Sequence, residues 1–258
     1  MTDDVVAMEA ITRTFGEVVA LENVDFALRD GEIHGLAGDN GAGKSTLIKC
    51  LAGVLAPDSG TIRIEGRPVT IDSPRDAKEL GIETTFQDLA LADNLSVTEN
   101  IFLGREQVRG PQGLFGVLDK GRMRERAREL LADLEIGVDP DATVSDLSGG
   151  ERQLVSISRT LLSAPKIIIM DEPTSALSVE GAKRVLELIE QLREQGISII
   201  LISHNIEYMR RVADRIKVLH NGYDAGDISA AEATRDEIVS RMIGGHPDAG
   251  PGAEHSAA

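Results

Sequence analysis

The run Gly38-Asp39-Asn40-Gly41-Ala42-Gly43-Lys44-Ser45-Thr46 constrains this chain more than any other segment. It has the spacing of a phosphate-binding loop: a glycine, four residues, then Gly-Lys-Ser. A bound triphosphate needs several backbone N–H donors pointing inward, and only glycine lets the main chain approach that closely. Ile33-His34-Gly35-Leu36-Ala37 reads as a short apolar strand feeding the loop, and Lys44 to Val54 as the helix leaving it. That order puts a helix N-terminus, with its free N–H groups and partial positive charge, beneath the phosphates. Lys44 then reaches the β- and γ-phosphates, and the Ser45 hydroxyl holds Mg2+.

A second element supplies carboxylates. Ile167-Ile168-Ile169 suits a strand buried on both faces, and it ends at Asp171-Glu172-Pro173-Thr174. Acids at the carboxyl end of a parallel strand lie where open α/β sheets bind ligands. Asp171 would support Mg2+, directly or through water, and Glu172 would polarise an attacking water. On its own, Asp-Glu-Pro is an ordinary polar strand exit. Beside a phosphate loop it marks a hydrolytic site.

The remaining pattern frames these motifs. Val5 to Ala10, Val24 to Leu28 and Thr61 to Glu65 read as strands of an antiparallel sheet, with turns at Arg29-Asp30-Gly31 and Glu65-Gly66-Arg67-Pro68. Ser73-Pro74 starts a short helix running to Leu80. From Ala90 to about Ala164 the character is helical. Asp119 to Leu134 has helical spacing, and Arg122, Arg124, Arg126 and Arg128 read as a solvated face. From Lys166 strands and helices alternate: helix Glu180 to Glu194, strand Ser198 to Ser203, helix Asn205 to Ala213, strand Arg215 to Leu219, then a hairpin turn at Asn221-Gly222. Such alternation predicts a mostly parallel sheet. The single cysteine, Cys50, reads as a small buried side chain. No stretch approaches 18 uninterrupted apolar residues, and the acidic N-terminus lacks the form of a signal peptide. A net charge of −16 argues against nucleic acid as the main partner, because phosphate contacts need a basic face.

With these motifs in order, the chain resembles the ATP-binding subunits of ABC transporters from about Met8 to Gly244. Leu147-Ser148-Gly149-Gly150-Glu151-Arg152-Gln153 is similar to the family signature, with Glu151 where the consensus often has Gln. The resemblance implies that Ser148, Gly149 and Gly150 complete the ATP site of an opposing subunit. It also assigns Gln87 to sensing Mg2+ and water and to linking with the membrane partner, His204 to contacting the γ-phosphate, and Phe15 to stacking on adenine. The implied nucleotide contacts are Phe15, Gly38, Asn40, Gly41, Gly43, Lys44, Ser45 and Thr46, with Ser45, Gln87 and Asp171 at the metal. The implied fold is an α/β P-loop NTPase core over residues 1–244. It carries an N-terminal antiparallel β subdomain and an inserted helical subdomain at about 90–164; residues 245–258, rich in Gly, Ala and Pro, read as a disordered tail. One departure stands out: Ser175-Ala176-Leu177-Ser178 replaces the usual Ser-Ala-Leu-Asp of the D-loop.

The wording from Gln87 to Glu106 is similar to the ATPases of monosaccharide importers. That implies ATP and Mg2+ as cofactors, and transmembrane permease subunits and an extracytoplasmic sugar-binding protein as partners. It also implies a single-domain branch working as a homodimer at the cytoplasmic face of the membrane. Leu95, Val97, Ile101, Phe102 and Leu103 read either as a groove for a permease helix or as core of the helical subdomain. A soluble ABC ATPase acting on ribosomes or DNA, and an importer subunit for a non-sugar solute, remain the alternatives.

Overall fold

Alternating apolar and polar residues near the N-terminus build a long hairpin. In the computed structural model, which describes residues 4–85, 89–109 and 116–244, β1 (Asp4–Phe15) pairs antiparallel with β2 (Val18–Arg29). Both strands outrun the segments expected from sequence. Register shifts between Met8 and Thr14 break the two-residue period there, so the pattern fades although Ile11 and Leu21 remain fully buried. Next come β3 (Ile33–Ala37) and α1 (Lys44–Leu51). The helix stops short of Val54 because Gly53 takes φ 70° and the Val54 N–H turns back to the Lys49 carbonyl at 2.9 Å.

Strands β4 (Ser59–Ile64) and β5 (Arg67–Val69) complete an antiparallel sheet of order β2-β1-β4-β5. A short helix α2 (Pro74–Glu79), capped by the Ser73 hydroxyl, leads to β6 (Ile82–Thr85). The helical insert holds α3 (Val97–Ile101), α4 (Lys120–Asp133) and α5 (Gly149–Leu161). It also contains a small ribbon, β7 (Val108–Arg109) with β8 (Val117–Leu118), too short to leave a sequence signal. The alternating part follows: β9 (Ile167–Asp171), α6 (Val179–Glu194), β10 (Ser198–Ile202), α7 (Ile206–Val212), β11 (Arg215–His220), β12 (Tyr223–Ser229) and α8 (Arg235–Met242). The main sheet has order β12-β11-β3-β10-β9-β6 and is parallel except for β12. The β11–β12 turn uses Asn221 at φ 48° and Gly222 at φ 84°, the left-handed pair that suits a tight hairpin.

The central strands are buried on both faces, which is why they read as unbroken apolar runs. Ile168, Met170, Ile199 and Leu201 point into a core shared with the helical insert and α6, while Ile167, Ile169, Ile200 and Ile202 point toward α1 and the antiparallel sheet. Val97, Ile101 and Phe102 are buried in the first of these cores, so they are not a docking groove, whereas Leu103 lines a surface cavity. The arginines of α4 are exposed, as a solvated face should be. Cys50 is fully buried, and burial pushes its thiol pKa up to about 11. Helix α8 escapes an apolar-period search because Ile238 is its one buried residue; its signal is the Thr234-Arg235-Asp236-Glu237 start, where the Thr234 hydroxyl accepts the Glu237 N–H at 3.1 Å.

A polar network ties the two sheets together. Buried Glu32 accepts the Arg215 Nε–H at 2.6 Å, Arg215 also donates to Asp227 at 2.9 Å and to the Ala27 carbonyl at 3.0 Å, and the His34 ring stacks on Phe26. Burial alone would raise the Glu32 pKa, but hydrogen bonds from Arg215 and the Arg29 N–H more than reverse this and hold it below the ordinary value. Its stabilising contribution is therefore complete above the ordinary glutamate range and is lost as pH falls through the lowered folded value. Arg215→Met leaves the Glu32 carboxylate without its cation. Urea unfolding at neutral pH should show a loss of about 3 kcal/mol.

Candidate nucleotide site

Strand register gathers the site. Leu36 of β3 lies opposite Ile202 of β10, and Ile202 lies opposite Asp171 of β9. The three parallel strands thus end in one row, and the residues just beyond them share one edge: the loop from Gly38, the acids Asp171 and Glu172, and His204. This is where an open parallel sheet binds ligands.

The phosphate loop is held by backbone packing that only glycine permits. A Cβ on Gly38 would lie 2.6 Å from the Leu219 carbonyl oxygen, and one on Gly43, at φ 100°, would lie 2.6 Å from that of Ala20. The Ala42 carbonyl accepts the Gly222 N–H at 3.1 Å, and the Gly222 carbonyl accepts the Glu22 N–H at 2.8 Å. The β11–β12 turn and β2 therefore brace the loop from behind. The Lys44 ammonium donates to the Gly38 and Asp39 carbonyls at 2.6 and 3.0 Å, folded back over the loop it would share with phosphate. Ser45, Asn40 and Gly41 are exposed, with Thr46 half-buried.

Across from the loop, burial raises the Asp171 pKa, as does the neighbouring Glu172 charge, while Lys44 and Lys49 pull it down. Burial lowers the Lys44 pKa, opposed by Glu172, Asp171 and Asp39. Burial thus disfavours the charged forms of both Asp171 and Lys44. Among the described residues no three or more His, Cys, Asp or Glu side chains cluster to hold a metal by themselves. The Ser45 hydroxyl and Asp171 nevertheless fit Mg2+, which takes one or two protein oxygens and fills its octahedron with water and phosphate. Glu172 sits at φ 51°, outside the region ordinary residues prefer, with its N–H held by the Ile202 carbonyl at 3.0 Å. His204 Nδ1 lies 2.8 Å from Glu172 Oε2, yet that oxygen is buried without a well-aligned hydrogen bond. His204 is 74 % exposed, displayed between the Asn205 N–H bond to Ser203 and the Asn205 cap on Tyr208.

Phe15 ends β1 with its ring 46 % exposed and the Arg13 guanidinium 5.0 Å from its centroid, an arrangement free to stack on a flat ligand. Gln87 lies outside the described residues. Ser148, Gly149 and Gly150 stand apart: among the described residues no hydrogen bond or ion pair joins them to the phosphate loop, Asp171, Glu172 or His204. They pack instead against Ala176 to Arg184, where a Cβ on Gly150 would come 3.1 Å from the Gly181 Cα. Two features there were not anticipated from sequence. Glu151 forms a reciprocal capping box with Ser148, a signal legible in the Ser-x-x-Glu spacing. Ser178, in place of the usual acid, caps α6 by accepting the Gly181 N–H at 3.1 Å, so the cap survives the loss of the carboxylate.

Gly43→Ala should be unable to keep this loop. A titration with a fluorescent ATP analogue is expected to show at least a tenfold loss of affinity, equivalent to about 1.4 kcal/mol, with a lowered melting temperature.

The ABC transporter family profile matches residues 21–175. A ribose import ATP-binding protein, RbsA 1, of Rubrobacter xylanophilus is 46% identical over 92% of this chain, which spans 46% of that relative. A fructose import ATP-binding protein, FrcA, of Rhizobium meliloti is 42% identical over 94% of this chain and 95% of its own length. The chain therefore spans about half the length of the ribose-type relatives and nearly all of the fructose-type one. Among solved structures, the ADP conformation of MJ1267, an ATP-binding cassette of an ABC transporter, superposes with a TM-score of 0.80 at 28% identity, over 93% of this chain and 95% of that one. The dimeric cassette MJ0796 gives 0.71 at 26% identity, over 87% and 98%. The fold, the site at the strand ends and these relationships agree: the chain belongs to the ABC transporter family and is one of its ATP-binding cassettes.

Proposed function

We propose that this chain hydrolyses ATP as a head-to-tail homodimer and powers import of a monosaccharide through a membrane permease. The observation that carries the reading is the split site. One edge of the sheet holds phosphate, metal and water-directing groups, while Ser148 to Gly150 offers a capped helix start with no nucleotide groups of its own. A second copy supplies the missing half to each. Lys44, Ser45 and the loop N–H groups hold the triphosphate, and Asp171 and Ser45 would hold Mg2+, which when bound would offset charge on the phosphates. Glu172 orients and polarises water, His204 reaches the γ-phosphate, and Phe15 stacks on adenine. ATP binds the closed pair better than the open one and so drives closure, and hydrolysis releases it.

The direction and cargo rest on the relatives, whose names speak of ribose and fructose import. No helix among the described residues is long and apolar enough to cross a membrane; in this reading a permease carries the sugar. A cavity of about 550 Å3 between core and helical insert, lined by Val54, Glu83, Leu103, Arg105 and Arg159, offers a seat for that partner at the cytoplasmic face.

Glu172→Gln keeps the shape but not the charge that polarises water. Steady ATP turnover should fall by at least a hundredfold, in the range of a lost general base, while ATP binding persists. Tagged Glu172→Gln protein captured from detergent-solubilised native membranes should bring down a multi-span permease with a sugar-type binding protein. Turnover at the wild-type rate would refute the role of Glu172, and capture with ribosomes or DNA proteins would favour the soluble alternative.

A further inference from the structure

Glu151 occupies an unusual position for a residue beside a phosphate site. Its Oε2 accepts both the Ser148 hydroxyl at 2.7 Å and the Ser148 N–H at 2.8 Å, while the Ser148 hydroxyl oxygen accepts the Glu151 N–H at 3.3 Å. A serine hydroxyl has one proton to donate. In this arrangement that proton is committed to a carboxylate, in a charge-assisted bond about twice as strong as a neutral one. The surrounding charge compensates only in part. Arg184, on the same concave face, is itself paired with Glu180 at 2.9 Å, so the face from Ser148 to Arg184 carries two carboxylates and one guanidinium.

We propose that Glu151 restrains ATP-driven closure by competing with the γ-phosphate of the opposing subunit for the Ser148 hydroxyl. This rests on the head-to-tail reading above. On closure Ser148 must release Glu151 and turn its proton to the incoming phosphate, and the carboxylate stays behind as a like charge beside it. The Ser148 N–H keeps its bond to Glu151, so the helix start survives the exchange. A neutral glutamine retains a carbonyl oxygen for that N–H but holds the hydroxyl less firmly and does not repel phosphate. Glu151 is thus a positioning residue that sets how much ATP closure requires, acting through Ser148.

The test compares Glu172→Gln with Glu151→Gln/Glu172→Gln as purified chains, with Mg2+ and increasing ATP, following dimer formation by analytical ultracentrifugation. ATP affinity of the isolated chain is measured separately, at protein concentrations too low for dimers. The expected result is half-maximal dimer at about tenfold lower ATP in the Glu151→Gln background, with single-chain affinity and melting temperature unchanged. A purely structural cap predicts no difference, because glutamine also caps; equal ATP requirements, or a weaker dimer, overturn the inference alone. Glu151→Ala, which loses the carboxylate half of the capping box, should lower the melting temperature and yet still need less ATP than the parent. A rise in its ATP requirement would count against competition. Absence of an ATP-driven dimer from all of these proteins overturns the head-to-tail reading, and this inference with it.

Discussion

The register of three parallel strands holds the rest in place. Leu36, Ile202 and Asp171 stand in one row, and that alignment decides which side chains can meet a phosphate chain. A slip of one residue in β9 would turn Ile168 and Met170 from the insert-side core to the opposite one. It would also move Asp171 and Glu172 off the edge where Lys44 and Ser45 begin their helix. The two apolar cores therefore enforce the site's geometry: the hydrophobic effect, which has no directional preference, fixes a polar constellation through the pleat of the sheet.

Electrostatics then bears on what the assembled edge lacks. Lys44 and Asp171 are each desolvated, and each is displaced from its ordinary pKa chiefly by that burial. Lys44 turns back on two loop carbonyls, and Glu172 holds a buried oxygen without an aligned donor. Phosphate oxygens, a dication and a water are the groups that would satisfy these partners together in the proposed function. The helix start at Ser148, the second half of the site in the proposed function, is kept ordered in the single chain by its capping box, so closure would not have to form it.

Much of this was legible in the sequence because the decisive signals are local. Glycines at 38, 41 and 43, the acids after Ile167-Ile168-Ile169, and His204 after a buried strand all report constraints within a few residues. The helices and strands of the alternating half lie close to their expected bounds for the same reason. What escaped depends on contacts distant in sequence. The full length of the β1–β2 hairpin is masked by bulges, the ribbon of β7 and β8 is too short to show a period, and α8 buries little of its surface. The bracing of the loop by Gly222 and Glu22 joins segments far apart in the chain. Glu151 and Ser178 looked like departures from a consensus; in three dimensions both are caps on neighbouring helix starts, brought together by the close approach of Gly150 and Gly181.

The central claim is that the loop of one chain meets the Ser148 helix start of another. Cysteine cross-linking tests it most directly, because the natural Cys50 is buried and will stay silent. Asn40 is exposed, and a Cβ at Gly149 meets only the Leu177 side chain at 3.5 Å, so Asn40→Cys and Gly149→Cys should both fold. Mixed in the Glu172→Gln background with a short thiol cross-linker, the two variants should join between chains only when ATP and Mg2+ are present. Cross-linking that ignores ATP, or none between the mixed chains, would contradict the account.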